Sequence, residues 1–234
     1  MSTSIQAYWL GHASFRFISP NGSIIYVDPF LKDNPKTPES EKNPDKIDYI
    51  LLTHGHEDHV GDTIELAKKT GAKVLGILEL VDVLQQNGLP EDQALDINKG
   101  GTVSFDDFKV TMTSANHSSS FGGVYTGDPA GLVIRFSDGY TVYDLGDTNI
   151  MQDMALYGQL YEPDLALVPI GDHYTMDPTE ATLAVKLIKP KHAVPIHYGT
   201  WPILSGSPDK FKELVEKETS TQVIIAEPGK NFLS

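Results

Sequence analysis

The stretch "THGHEDHVGD", residues 53–62, places His54, His56 and His59 around Glu57 and Asp58 directly after an apolar run. Imidazole nitrogen and carboxylate oxygen packed this densely are the donors of a divalent ion. In extended chain, residues i and i+2 project to one side, so His54 and His56 can share an ion. Asp58 and His59 follow a turn and can reach a second one. The chain has no cysteine, so thiolate sites are excluded. Nitrogen and oxygen donors suit zinc, the expected metal, and are compatible with manganese, iron, nickel and cobalt.

The other histidines and a further aspartate complete the pattern. His117 in "ANHSSS", Asp147 in "DLGDTN", His173 in "GDHY" and His197 in "IHYGTW" each follow a β-like run closely, where α/β scaffolds gather their chemistry. His117 is expected to complete the first set and His197 the second, with Asp147 bridging the two. Such a binuclear centre brings bound water to a pKa of about 7. The expected reaction is attack of a metal-bridging hydroxide on an ester, lactone or phosphodiester bond. The loaded centre stays net positive and should attract a small anionic substrate and stabilise developing negative charge. Asp58 is expected to take up a proton and His173 to supply one to the leaving group. Asp28, ahead of Pro29, is expected to orient a ligand histidine. His12, Tyr198 and Trp201 are pocket candidates, while His192 reads as packing. The Ser/Gly-rich loop 118–131 could cradle an anion through its amides.

Alternating elements must hold these residues. Runs 23–30, 46–53 and 72–77 read as strands, the last two joined by a helix between Asp62, in a capping box with Glu65, and Gly71. Residues 108–115 alternate as a strand, and a Ser-Asp-Gly turn divides the segment 131–147 into a hairpin. In the second half, strands at 164–170, 192–196 and 221–226 alternate with helices at 177–188, opened by Asp177 and Pro178, and 207–219. Hairpins mixed with crossovers predict two packed sheets with helices outside. Segment 32–46 is polar and proline-rich, a long loop within a single domain spanning 1–234.

Composition narrows the function classes. The 234 residues are 40% hydrophobic and carry a net charge of −14. That excess repels nucleic acid, and no run of Lys and Arg offsets it. No signal peptide or membrane-length apolar stretch is visible, so a cytoplasmic location is expected, and a homo-oligomer remains open.

"THGHEDHVGD" resembles the signature of the metallo-β-lactamase superfamily, which implies a four-layer αβ/βα sandwich of two mixed β-sheets flanked by helices. The resemblance carries the ligand roles to His54, His56, Asp58, His59, His117, Asp147 and His197. The third ligand departs from the Pro-Gly-His-Thr of true β-lactamases and glyoxalase-type enzymes, since it stands in "ANHSSSF". With "WLGHASF", "YVDPF", "GDHYTMDPTEA" and "PIHYGTW", the chain is similar to metal-dependent hydrolases related to L-ascorbate phosphate lactonase. This likeness runs from Trp9 to Gly199. Two alternatives accompany it. Di-iron redox members of the superfamily typically carry Glu where this chain has His56, together with a fused flavin domain. A non-catalytic metal-binding sensor would keep the site without turnover.

Overall fold

The computed structural model describes residues 3–233. The first half runs through β1 (Gln6–Trp9), β2 (Phe15–Ile18), β3 (Ile24–Val27), β4 (Tyr49–Leu51), α1 (Glu57–Val60), α2 (Thr63–Thr70), β5 (Lys73–Ile77), α3 (Leu78–Gln86) and β6 (Ala94–Ile97). Its six strands form one sheet in chain order. β1, β2 and β3 pair antiparallel, and β3 to β6 run parallel.

The second half contains β7 (Thr102–Ser104), β8 (Phe108–Ser114), the small hairpin β9 (Ser120–Phe121) and β10 (Val124–Tyr125), β11 (Ala130–Phe136) and β12 (Thr141–Asp144). It continues through α4 (Asp153–Tyr161), β13 (Leu165–Pro169), α5 (Pro178–Ile188), β14 (His192–Ile196), α6 (Pro208–Glu218) and β15 (Gln222–Val223). Seven of these strands form a second mixed sheet in the order β15-β14-β13-β12-β11-β8-β7.

The sheets meet face to face through aromatic side chains. Phe17 of β2 lies 6.2 Å from Phe136 of β11, and Tyr49 of β4 lies 5.2 Å from Phe108 of β8. Strands β13 and β14 are almost wholly buried, as expected where parallel strands are covered on both faces. Helices α2 and α3 pack on the first sheet, while α5 and α6 pack on the second. The result is the expected αβ/βα sandwich.

Local chemistry explains where the elements start. Asp177 accepts the Thr179 and Glu180 amides at 2.8 Å, capping α5 with Pro178 in its first turn. Ser207 caps α6 in the same way, through the Lys210 amide at 3.2 Å. The capping box expected at Asp62 is not formed. Its carboxylate instead accepts the Leu31 and Lys32 amides at 2.9 and 3.0 Å, while Glu65 pairs with Lys32. Asp62 therefore ties the loop after β3 to the start of α2. The run 46–53 is strand only at 49–51, and the last strand only at 222–223.

Candidate metal centre

The chemistry-bearing residues sit on loops that leave the strand ends of both sheets. The β4 loop delivers His54 and His56 and runs into α1, which carries Asp58 and His59. His12 comes from the β1–β2 turn. The second sheet supplies His117 after β8, Asp147 after β12 and His197 after β14. Among the described residues, a group within the first half, Asp28, His54 and His59, has donor atoms within 4.8 Å of one another, as have two groups across this seam. One is His54, His56 and His117; the other is His12, Asp58, His59 and His197.

Asp147 stands between the groups. Its Oδ2 lies 3.0 Å from His197 Nε2, 3.4 Å from His59 Nε2 and 3.5 Å from His117 Nε2. His54 Nε2 and His56 Nδ1 face each other at 2.9 Å. His59 Nε2, His197 Nε2 and Asp147 Oδ1 are buried without a hydrogen-bond partner. Buried polar atoms are rarely left so. Nitrogen lone pairs converging on a carboxylate are what divalent ions require, so the residues fit the metals that the sequence implies.

Asp28 organises this donor set from behind. It is buried, has φ 45°, and accepts the Thr53 amide at 2.9 Å, the Thr53 hydroxyl at 2.5 Å and His59 Nδ1 at 2.7 Å. The Thr53 hydroxyl lies 3.0 Å from His54 Nδ1. Since that hydroxyl gives its hydrogen to Asp28, it accepts from His54, leaving His54 Nε2 bare. One carboxylate thus fixes the ring orientation of two ligand candidates, one directly and one through Thr53.

Charge follows the same geometry. Burial opposes a proton on His59, but Asp147 and Asp28 outweigh it and hold its pKa well above the usual histidine value. His54 is driven well below that value by burial and by His59. Burial, the first cause in each case, also lowers His56 and His117. Burial would raise Asp58, yet the hydrogen bond from His12 and the charge of His59 overcome it and keep it ionised. His12 is pushed down to about 4 by burial and by His197. It is therefore uncharged at neutral pH. Its Nε2 donates to Asp58 Oδ2 at 3.0 Å, and its Nδ1 accepts from the Thr200 hydroxyl at 2.8 Å.

The remaining candidates divide. Trp201 is 36% exposed, with its ring 5.1 Å from that of His12. Tyr198 turns inward and stacks on Trp9 at 5.5 Å, so it packs the core beneath the site. His173 is exposed on the loop after β13, its ring edge-on to Tyr174 at 4.5 Å and outside the converging groups. His192 lies in β14, as packing requires.

Several supporting residues carried no sequence signal of their own. Thr53 and Thr200 are ordinary hydroxyls until the fold sets them beside His54 and His12. Ser119, from the loop expected to cradle an anion, binds the Gly55 amide at 3.0 Å and Thr126 at 2.7 Å, fixing the turn between His54 and His56. Asp144 is fully buried, accepts the Gly146 amide at 2.9 Å, and is pushed up to about 8 by burial and by Asp28.

Two mixed sheets in an αβ/βα sandwich, with a histidine–aspartate cluster across their strand ends, define the class of metallo-β-lactamase-fold proteins. A family model described as the beta-lactamase superfamily domain matches residues 23–198. The chain belongs to that superfamily and, within it, to the UPF0173 metal-dependent hydrolases. A protein of that description from Herpetosiphon aurantiacus is 46% identical over 227 residues, 94% of each chain. Another from Methanosarcina mazei is 44% identical over 233 residues, 96% of each. Among solved structures, Igni18, a metallo hydrolase from Ignicoccus hospitalis, superposes with TM-score 0.86 at 36% identity, covering 97% of this chain and 96% of its own. The diiron β-hydroxylase CmlA from Streptomyces venezuelae matches at TM-score 0.70 and 17% identity, over 97% of this chain and 54% of its own. At that identity the likeness shows the fold alone.

Proposed function

We propose that this protein hydrolyses an ester, lactone or phosphodiester bond at two divalent ions. His54, His56 and His117 would hold one ion, and Asp58, His59 and His197 the other, with Asp147 between them. Bound there, the ions would supply a water activated near neutral pH and a Lewis acid for the scissile group. The observation that carries the reading is the pair of converging donor sets around Asp147, with buried donor atoms that make no hydrogen bond.

The chain's own residues handle orientation and protons. Asp28 and Thr53 fix the imidazoles of His59 and His54. Asp58 remains ionised beside neutral His12: Oδ2 holds His12 Nε2–H, and the other oxygen, which would bind the ion, is the one that would take up a proton released in the reaction when it leaves the ion. His173 follows Asp172 on a loop where both residues have positive φ, 40° and 62°. Strain of this kind clusters at functional loops; on that ground His173 is retained as the group that protonates the leaving group, from a position outside the donor groups. Removing that role by His173→Ala should lower kcat while metal content stays unchanged.

The test is elemental analysis after gentle purification, with hydrolysis of bis-p-nitrophenyl phosphate and a simple lactone measured on the same sample. About two ions per chain, and turnover abolished by a chelator and by His59→Ala, are the expected results. A chain that cannot be loaded with metal would remove the mechanism. Two ions without turnover would favour the sensor reading, and redox-active iron the di-iron one.

A further inference from the structure

Beside the cluster, a cleft of about 620 Å³ opens to solvent, and Asp58 forms part of its wall. Clefts next to reactive groups are where the non-reacting part of a substrate binds. Three aromatic side chains line this one. Phe30 follows β3, Trp201 follows β14, and Phe121 ends β9 on the other half of the molecule. Phe30 and Trp201 stand 6.1 Å apart with their planes tilted by 38°. The two rings adjoin along the wall of a cleft whose volume accommodates a six-membered ring.

The charged lining has a single sign. Asp33 and Glu57 are exposed, and half-buried Asp62 adds a third carboxylate, beside Asp58, whose charge the ion would take up. No Lys or Arg occurs among the described residues that line the cleft. The nearby Lys32 is engaged by Glu65. Amides bonded to Asp62 orient its carboxylate without cancelling its charge. Exposed aromatic faces attract organic cations through their quadrupoles, and carboxylates around them add to that attraction. An anionic group placed there would meet both with the wrong sign.

We propose that the part of the substrate flanking the scissile bond is a ring-sized organic group without negative charge, bound best when cationic. This rests on the hydrolase reading for which bond is cut, but its binding step stands apart from turnover. Any negative charge on the substrate is thereby confined to the group that faces the metals. The expectation of an anionic substrate, drawn from the net positive loaded centre, is restricted to that end.

The experiment uses metal-loaded protein and three probes of one ring size: benzyltrimethylammonium, benzyl alcohol and phenylmethanesulfonate. Binding is followed by Trp fluorescence, with Trp201→Phe as the control, because the other tryptophan, Trp9, is buried in the core. The ammonium should bind roughly 3- to 30-fold more tightly than the alcohol, the range of a cation over aromatic faces, and the sulfonate more weakly than either. The double variant Asp33→Asn/Glu57→Gln should reduce the ammonium's advantage and leave alcohol binding unchanged. Sulfonate binding equal to the ammonium's, or no binding by any probe, overturns the proposal. An inert hydrolysis panel with the ammonium still bound would strike the reaction and leave the cleft assignment in place.

Discussion

Asp28 shows how much of the candidate metal centre is decided by a residue behind its two converging donor sets. Its two oxygens take three hydrogen bonds, from the Thr53 amide and hydroxyl and from His59. Asn in its place would turn an NH2 group toward at least one of those donors. Asp28→Asn should therefore weaken metal binding about 10- to 100-fold, the usual cost of losing such a partner, as measured by competition with a chromogenic chelator. Protons give a second prediction at this scale. His54, His56 and His117 have lowered pKa values and offer bare nitrogens in the neutral range. His59 holds its proton well above the usual value, so an entering ion must displace it. Affinity at the set containing His59 must then rise with pH. On acidification from pH 8, that set should empty first; simultaneous loss of all metal in a pH titration followed by elemental analysis would contradict this.

The legibility of these residues depended on spacing. His54, His56, Asp58 and His59 announce themselves because they are contiguous. His117, Asp147 and His197 were legible only jointly, from their places after strands. Thr53, Thr200, Ser119 and Asp144 could not be read, because a hydroxyl or lone carboxylate gains its role only from tertiary neighbours. Tyr198 stands beside a ligand candidate in sequence, yet the left-handed turn at His197, φ 57°, carries it to Trp9 instead of the cleft.

Elements were legible where local signals were unopposed. Asp177 followed by Pro178 marks the start of α5, and both amides of the cap are satisfied as expected. Asp177→Ala should cost about 1 kcal/mol, read as a lowered urea midpoint with an unchanged m-value. Asp62 carried an equally good capping signal, but tertiary demand from the amides of the loop after β3 took its carboxylate. Helix α3 went unread because it follows β5 without a break: its N-cap position is Ile77, which offers no side-chain oxygen. Tight contact between elements is the other constraint. At Gly171 an added Cβ would fall 2.0 Å from the His197 carbonyl oxygen and 3.0 Å from its Nδ1. The β13 loop can pass His197 only as glycine, and Gly171→Ala should displace that ligand candidate even where the fold survives.

For the whole molecule, the two-sheet arrangement was readable from the order of hairpins and crossovers, whereas the pairing of edges was not. The N-terminal edge strand β1 is covered by residues 229–232, through Gly229 to Trp9, Phe232 to Ala7 and Asn231 to Ala7. No periodic pattern in the C-terminal residues announces this. Metal is expected to stabilise the assembled sandwich. With free ion at 100 to 1,000 times its dissociation constant, the linkage is worth about 2.7 to 4.1 kcal/mol. For a chain of this size that corresponds to roughly 5–15 °C in Tm. Calorimetry before and after dialysis against a chelator should show this loss, reversed on reloading.

Both donor groups straddle the two sheets. Residues 54–59 are synthesised well before His117, Asp147 and His197, and in the emerging N-terminal half each group lacks members that only the second sheet provides. If the centre is loaded as proposed, a set still missing its second-half donors would hold an ion more weakly, so full affinity would be reached only once the halves have docked. On that reading the complete centre would be assembled last, after both sheets have formed, and partly folded chains would lack hydrolytic activity.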